Sequence, residues 1–307
     1  MPELPEVHTT VKGINKTARG SVIHAVWSDY FSNHYRNKKE IKNPLYFKAF
    51  SKVVTGAKII GVRRRGKNIL IDLSNGSVIL VHMKMTGHFL YGAYKKTLVG
   101  KNKEVWEAVE EGPLKDSFNR FVHLVFSLSD GKHLVLSDMR KFARISIFPK
   151  KEEPEQKEIN GLGPEPLEKE FTYKKFKKIL SEKKGPIKKV LLDQTVIAGI
   201  GNIYSDEILW ASGIHPLQEI RFLGNTQMKK VFSSLKTILR KGIDFRGDST
   251  SDYRDINGMR GAFQGAHMAY RKTGQVCKKK KCGGKIVRIL VSGRSAHFCP
   301  VHQKAIE

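Results

Sequence analysis

At 307 residues the chain is longer than one hydrophobic core usually sustains, so two compact domains are expected, with room for a modest third module. Lys and Arg number 56 against 29 Asp and Glu, and the resulting charge of +27 calls for a polyanionic partner. A hydrophobic fraction of 40% supplies real cores and argues against a disordered basic tail, while no apolar run approaches the roughly 18 residues that span a bilayer. With no signal peptide before the polar start, a cytosolic or nucleoid-associated protein is expected.

The chain opens MPELPEV, placing Pro2, Glu3 and Glu6 together. A proline after the initiator permits removal of Met1, which makes the secondary amine of Pro2 the mature amino terminus, and a terminal amine can be a nucleophile. The bland reading is a frayed end without a role. A helix is predicted near Glu6 to Ala18. From Ala57 to Leu90, β-branched runs flank Asn75-Gly76, a type I′ hairpin signal, and a second hairpin turns at Asp130-Gly131. Short strands and tight turns up to Phe148 predict an N-terminal β-sandwich with a flanking helix over residues 1–148. The stretch from Tyr91 to Asn119 carries no clear signal. Met85, in HMKMTGH, and Arg140 with Phe142, in DMRKFA, follow strands. Such apolar side chains ordinarily belong to a core; the alternative is a wedge that unstacks bases in a duplex.

Residues 149–170 are rich in Pro, Gly and charge and read as a linker. Helical spacing then begins at Tyr173, and Pro186 suits the first turn of a helix that runs to Gly199. GIGNIY, residues 199–204, starts another helix. Its glycines either let two helices turn or leave N–H groups free for a phosphate, and Lys183, Lys184, Lys188 and Lys189 shortly before it favour the phosphate. A helix-turn-helix variant is predicted over residues 171–264.

All three cysteines lie in the last tenth of the chain. Cys277 and Cys282 are separated by four residues, and Cys299 and His302 by two, with a β-prone segment between the pairs. That pattern fits one tetrahedral zinc held by three thiolates and an imidazole, with His297 as an alternative fourth ligand. A segment of residues 265–307 is too small for a good core, so one structural ion would supply much of its folding energy.

MPELPEV, RRRGKNILIDL, VHMKMTG, LGPEPL, LLDQTVIAGIGNIYSDE and the terminal metal pattern occur in this order, and together they resemble bacterial formamidopyrimidine-DNA glycosylases along essentially the whole chain. The resemblance implies an α+β fold: an N-terminal β-sandwich, then a helix-two-turn-helix domain and a zinc β-ribbon finger that grip DNA. It implies a monomeric bifunctional enzyme that excises oxidised purines, 8-oxoguanine and formamidopyrimidines, from double-stranded DNA and then cleaves the abasic site by β,δ-elimination. Pro2 would be the nucleophile at C1′, Glu3 the acid that assists sugar opening, and Glu6 a support to both. Lys67 would serve proton transfer in β-elimination, and Arg294 δ-elimination and a phosphate contact. His82, Asn202 and Lys183 would contact DNA. Met85, Arg140 and Phe142 would fill the void left by an everted base.

Several positions depart from the family pattern. The void-filling loop reads DMRKFA rather than DPRRFG, His302 replaces a fourth cysteine, and Asn119 stands where the family has a DNA-contacting histidine. Residues 247–263 correspond to a lesion-recognition segment. The rival readings are an endonuclease VIII-like glycosylase for oxidised pyrimidines, a damage-binding protein without catalysis, and a basic ribosome-associated zinc protein.

Overall fold

Alternating apolar residues in the first half of the chain can be buried only by pairing two sheets face to face, and that is how they are used. The computed structural model describes residues 1–99 and 103–305. They fall into two compact units: Met1–Asn160 with Phe245–Ala262, and Gly161–Asp244 with the residues from Phe263 onward.

In the first unit, helix α1 (Leu4–Thr17) begins with a reciprocal cap in which Glu3 and Glu6 each accept the other's backbone N–H, with Pro5 in the first turn. Strands β1 (Ile23–Ser28), β2 (Ile59–Arg65), β3 (Asn68–Leu73), β4 (Ser77–His82) and β5 (His88–Gly92) follow, with helix α2 (Pro44–Val54) between the first two. Next come β6 (Tyr94–Val99), β7 (Lys103–Ala108), β8 (Val122–Leu128), β9 (His133–Ser137) and β10 (Arg144–Pro149). The sheets run β1-β8-β9-β5 and β10-β4-β3-β2, with β6-β7 a separate hairpin.

Phe89, Leu124, Phe126 and Leu136 of one sheet share a core with Ile69, Ile71, Ile79 and Val81 of the other. This is the expected sandwich. The outer face of the first sheet is covered by the β6-β7 hairpin through Tyr94 and Ala108. The outer face of the second is covered through Ile159. That double cover explains why β3 is buried at every position but Asp72.

The β3-β4 and β8-β9 hairpins form, but Asn75 and Asp130 do not adopt positive φ; only Gly76 and Gly131 do. Each turn closes instead by a bond three residues back, Gly76 N–H to Leu73 O at 3.1 Å and Gly131 N–H to Leu128 O at 3.1 Å. These are type I turns with a left-handed glycine, a normal solution for a longer loop. Two positive φ values in succession occur instead at Ser292 and Gly293.

Residues 150–160 pack with the first unit as a 3-10 turn and a short helix, α3 (Lys157–Asn160). Residues 245–262, placed by the sequence reading in the second domain, likewise cluster with the first unit.

The second unit opens with α4 (Tyr173–Ser181), capped by Thr172, whose side chain accepts the Lys175 N–H at 3.3 Å. Pro186 caps α5 (Ile187–Leu192), which stops seven residues short of Gly199. The reason is local: Asp193 Oδ1 accepts from both the backbone and the hydroxyl of Thr195, a turn that competes with the helix. Helix α6 (Asn202–Ser212) ends at Gly213, whose φ is 72°. The longest helix, α7 (Asn225–Asp244), buries Met228, Val231, Leu235 and Leu239, a three-to-four spacing. Strands β11 (Val287–Val291) and β12 (Arg294–Phe298) form a hairpin turning at Ser292-Gly293.

Candidate active site

The amino end of α1 is buried: Pro2 is buried, and Glu3 and Glu6 are each 2% exposed. Both carboxylate oxygens of Glu6 accept from backbone donors. Its Oε2 accepts the Glu3 N–H at 2.7 Å and its Oε1 accepts the Asp248 N–H at 2.7 Å, while its carbonyl accepts the Tyr253 hydroxyl at 3.1 Å. The contact with residues 247–248 demands glycine at 247, because φ there is 86° and a Cβ would stand 2.8 Å from Glu6 Cγ. Glu6 is thus a fixed anchor between the start of α1 and the 245–262 segment.

Lys67 follows the β2-β3 turn and is buried. In the second sheet Asn68 pairs with His82, and His82 with Arg144, so these three share one face at the end of the strands. His82 Nδ1 accepts the Lys84 N–H at 3.0 Å. Burial, then the charges of Lys84 and Lys67, push its pKa down to about 3, so at neutral pH the imidazole is uncharged and carries its proton on Nε2. It is a hydrogen-bond donor rather than a cation.

Met85, Arg140 and Phe142 come together on the surface and are not core residues. Met85 and Phe142 are each 45% exposed, Arg140 Nη1 donates to Met85 Sδ at 3.3 Å, and its guanidinium carbon lies 4.3 Å from the Phe142 ring centre. Buried Asp138 joins their two loops. One carboxylate oxygen accepts from Thr86 Oγ1, and the other from Tyr30 OH at 3.0 Å and Ala143 N–H at 2.8 Å. Thr86 Oγ1 in turn accepts the Arg140 N–H at 3.1 Å. The substitution DMRKFA therefore keeps the two side chains side by side.

Asn119 is placed differently from the expected DNA contact. It is 2% exposed, its Nδ2 donates to Pro113 O at 2.8 Å, and its Oδ1 meets His88 Nε2 at 2.9 Å. It bonds inside the unit.

In the second unit Asn202 is the first residue of α6, and its Nδ2 donates to Ser295 Oγ at 3.2 Å, beside exposed Arg294 on the β11-β12 turn. Lys183 is half-buried, and Lys184 and Lys189 are exposed. Lys188 is not available to a phosphate: it is fully buried and donates to Asp206 Oδ1. Asp206 Oδ2 accepts from His297 at both its backbone N–H, 3.0 Å, and its Nδ1, 2.8 Å. This network of Lys188, Asp206 and His297 holds β12 to α5 and α6 and was invisible to sequence reasoning, because its members are far apart in the chain. Asp206→Ala is expected to cost about 3–5 kcal/mol in a denaturant titration, by taking the carboxylate away from a buried ammonium. Lys188→Met, which removes the charge and preserves the packing, is expected to cost less.

His297 is not among the described side chains whose donor atoms converge on a metal-binding cluster. The donor atoms of Cys277, Cys282, Cys299 and His302 lie within 4.8 Å of one another and could hold a metal ion. His302 Nδ1 is 3.5 Å from Cys277 Sγ and 3.6 Å from Cys282 Sγ, while the Cys282 and Cys299 sulfurs are 3.5 Å apart. His302 Nε2 faces Trp210 O at 3.2 Å, which fixes the tautomer with the Nδ1 lone pair turned to the cluster. Trp210 Nε1 donates to Cys277 Sγ at 3.3 Å. The Gly284 backbone N–H lowers the pKa of the Cys282 thiol and burial lowers that of His302, which favours their metal-binding forms, while burial raises that of the Cys299 thiol.

Comparison with known proteins decides the family. Residues 1–145 match the formamidopyrimidine-DNA glycosylase N-terminal domain and residues 162–254 match the formamidopyrimidine-DNA glycosylase H2TH domain. The chain is 35% identical to a formamidopyrimidine-DNA glycosylase of Herpetosiphon aurantiacus, over 99% of this chain and 100% of that one. The chain belongs to the formamidopyrimidine-DNA glycosylase family. Lactococcus lactis Fpg in complex with abasic-site DNA superposes with a TM-score of 0.81 at 30% identity, covering 98% of this chain and 99% of that one. The same enzyme bound to DNA containing N7-benzyl-Fapy-dG gives 0.81 and 30%, over 99% and 100%. Against the formamidopyrimidine-DNA glycosylase pattern, the local departures at DMRKFA and His302 leave these contacts in place: Arg140 touches Met85 and Phe142, and His302 joins the four-residue cluster that could hold a metal ion. Among the described residues no helix is long and apolar enough to cross a membrane.

Proposed function

We propose that this protein is a base-excision-repair glycosylase that removes oxidised purines, 8-oxoguanine and formamidopyrimidines, from duplex DNA and cleaves the abasic strand through a Schiff base on Pro2. The observation that carries this reading is the burial of Pro2 and Glu3 at the start of α1, in a chain of this family whose β2-β3 turn holds the buried Lys67.

With Met1 attached the Pro2 nitrogen is an amide and inert; once Met1 is removed it is a secondary amine. An ordinary α-amino group has a pKa of about 8, so a useful minority is unprotonated at neutral pH. That lone pair attacks C1′, the damaged base leaves with the glycosidic electrons and takes up the proton that the Pro2 nitrogen gives up, and Glu3 delivers a proton to the sugar oxygen as the ring opens. A secondary amine gives an iminium with no N–H to lose. Its permanent charge acidifies C2′, so loss of that proton expels the 3′ phosphate, and a second elimination expels the 5′ phosphate. Lys67 serves the first elimination and Arg294 the second. Met85, Arg140 and Phe142 occupy the space of the everted nucleotide, and His82, Asn202 and Lys183 hold the backbone.

Zinc is the metal proposed for the Cys277, Cys282, Cys299 and His302 cluster. Zinc bonds of about 2.3 Å to sulfur and 2.0 Å to nitrogen put tetrahedral donor atoms about 3.5–3.8 Å apart, and the closest separations here are 3.5–3.6 Å. Four protein ligands leave it a structural role, holding the Arg294 turn.

The test is borohydride trapping on duplexes carrying 8-oxoguanine, thymine glycol or an abasic site. Covalent adducts with the first and third are expected. No adduct with any of the three rejects the enzyme, and preference for thymine glycol moves it to the oxidised-pyrimidine branch.

A further inference from the structure

A second concentration of charge surrounds His82, and its charged members are used by nothing in the mechanism. The polar row at the end of the second sheet, Asn68, His82 and Arg144, forms the floor of a cavity of about 230 Å³. Lys38, Lys39 and Glu40 enter it from the segment before α2, Lys84 from the turn after β4, and Glu158 from α3. The covering segment is fixed to the sheet by the Ile41 N–H, which donates to Ile145 O at 3.0 Å. Four cations face two carboxylates across this lining, so it carries a surplus of positive charge.

The carboxylates do not neutralise the cations well. Glu40 Oε2 stands 3.5 Å from Arg144 Nε, and its Oε1 is 3.9 Å from Lys42 Nζ and makes no hydrogen bond among the described residues. Asn68 is 4% exposed, and its Oδ1 likewise has no hydrogen-bond partner among the described residues. The cations crowd one another. Burial and then the Arg144 charge push the Lys84 pKa down, and Lys84, Lys67 and Arg144 all oppose a charge on His82. A concave site in which like charges destabilise each other gains from any anion that enters.

We propose that this cavity is a second phosphodiester subsite, in which Lys84 and Arg144, with Lys38 and Lys39 at the rim, take a DNA backbone phosphate adjacent to the one His82 contacts. The inference rests on the glycosylase reading for its ligand. A phosphate supplies acceptors to the ammonium and guanidinium groups, which Glu40 holds in place without satisfying. The volume also leaves room for waters, at about 30 Å³ each, one of which can bridge Asn68 Oδ1 to a phosphate oxygen.

The experiment compares wild type with Lys84→Ala/Arg144→Gln in the full chain. Binding to a lesion duplex is measured against salt, and duplexes carrying single neutral methylphosphonate linkages are scanned along each strand. The expected variant keeps its melting temperature, binds the duplex about 10-fold more weakly, and shows a log Kd against log salt slope smaller by about 0.9. One neutral linkage, different from the linkage to which His82→Ala becomes insensitive, weakens wild type about 10-fold and leaves the double variant unaffected. Unchanged affinity and slope in a folded variant overturn the subsite, as does an effect at the His82 linkage alone. A further arm measures stabilisation by inorganic phosphate against chloride at matched ionic strength. If phosphate protects wild type while the DNA slope of the variant is unchanged, the cavity takes a free anion and the DNA assignment is lost. Failure of wild type to form any borohydride adduct would instead count against the glycosylase reading, so the two failures are distinguishable.

Discussion

Pro2→Gly is expected to lower the rate of covalent adduct formation on an 8-oxoguanine duplex by about three orders of magnitude, close to 4 kcal/mol of transition-state stabilisation. Glycine after Met1 still allows the initiator to be removed, so the variant presents a primary amine at the same place. The loss is therefore specific to the character of the nitrogen. A primary amine gives a Schiff base that can shed its N–H proton and become neutral, and a neutral imine does not acidify C2′ as an iminium does. The pyrrolidine ring also fixes the nitrogen relative to Cα just ahead of the Glu3 cap, and glycine releases it. Neither effect touches the core under α1, where Leu4, Val7 and Ile14 are fully buried, so the melting temperature is expected to change little. Rapid-quench trapping gives the rate, and intact-mass measurement confirms that Met1 is absent from both proteins. A variant that traps at near wild-type rate would remove Pro2 from the chemistry.

Legibility followed sequence separation. The hairpins at Gly76 and Gly131 and the helical spacing from Tyr173 are each written within a few residues, and local reading found them, although it assigned the wrong turn type to the first hairpin. The four metal-binding side chains were legible because ligand pairs must be closely spaced to converge. What was missed joins distant positions. Glu6 meets Asp248 across 242 residues, and Asp206 meets His297 across 91. No periodicity reports such bonds, which is why Lys188 read as a surface cation and the 245–262 segment as part of the second domain. The β6-β7 hairpin was missed for a different reason. Its strands, YKKTLV and KEVWEA, alternate charge with few β-branched residues, and their apolar side chains are used against Trp27 and Val122 rather than in the main core.

Stripping the metal with a chelator is expected to weaken binding to a lesion duplex by about 100-fold, with zinc restoring it and a measured content of one ion per chain. The size of the effect follows from how little else holds the end of the chain. The finger's apolar cluster is Cys277, Ile286 and Cys299, with Trp210 and Cys282 packed against it, so two of its three buried members are themselves ligands. A core of that size offsets little of the backbone entropy of some 40 ordered residues, whereas zinc binding to such a ligand set supplies roughly 10–16 kcal/mol. The bonds from His297 to Asp206 keep β12 tethered to α6 without the metal, but they lie on the far side of the hairpin sequence from Cys277 and Cys282 and do not order that arm. Loss of the ion would therefore free the turn bearing Arg294 from one side, which would raise the entropy cost of the phosphate contact proposed for it. His302→Ala should reproduce part of the loss, because three thiolates still bind the ion while Trp210 loses the imidazole on its carbonyl. If chelation removes one zinc per chain and affinity stays within about 2-fold of the starting value, the ion has no part in forming the DNA-binding surface.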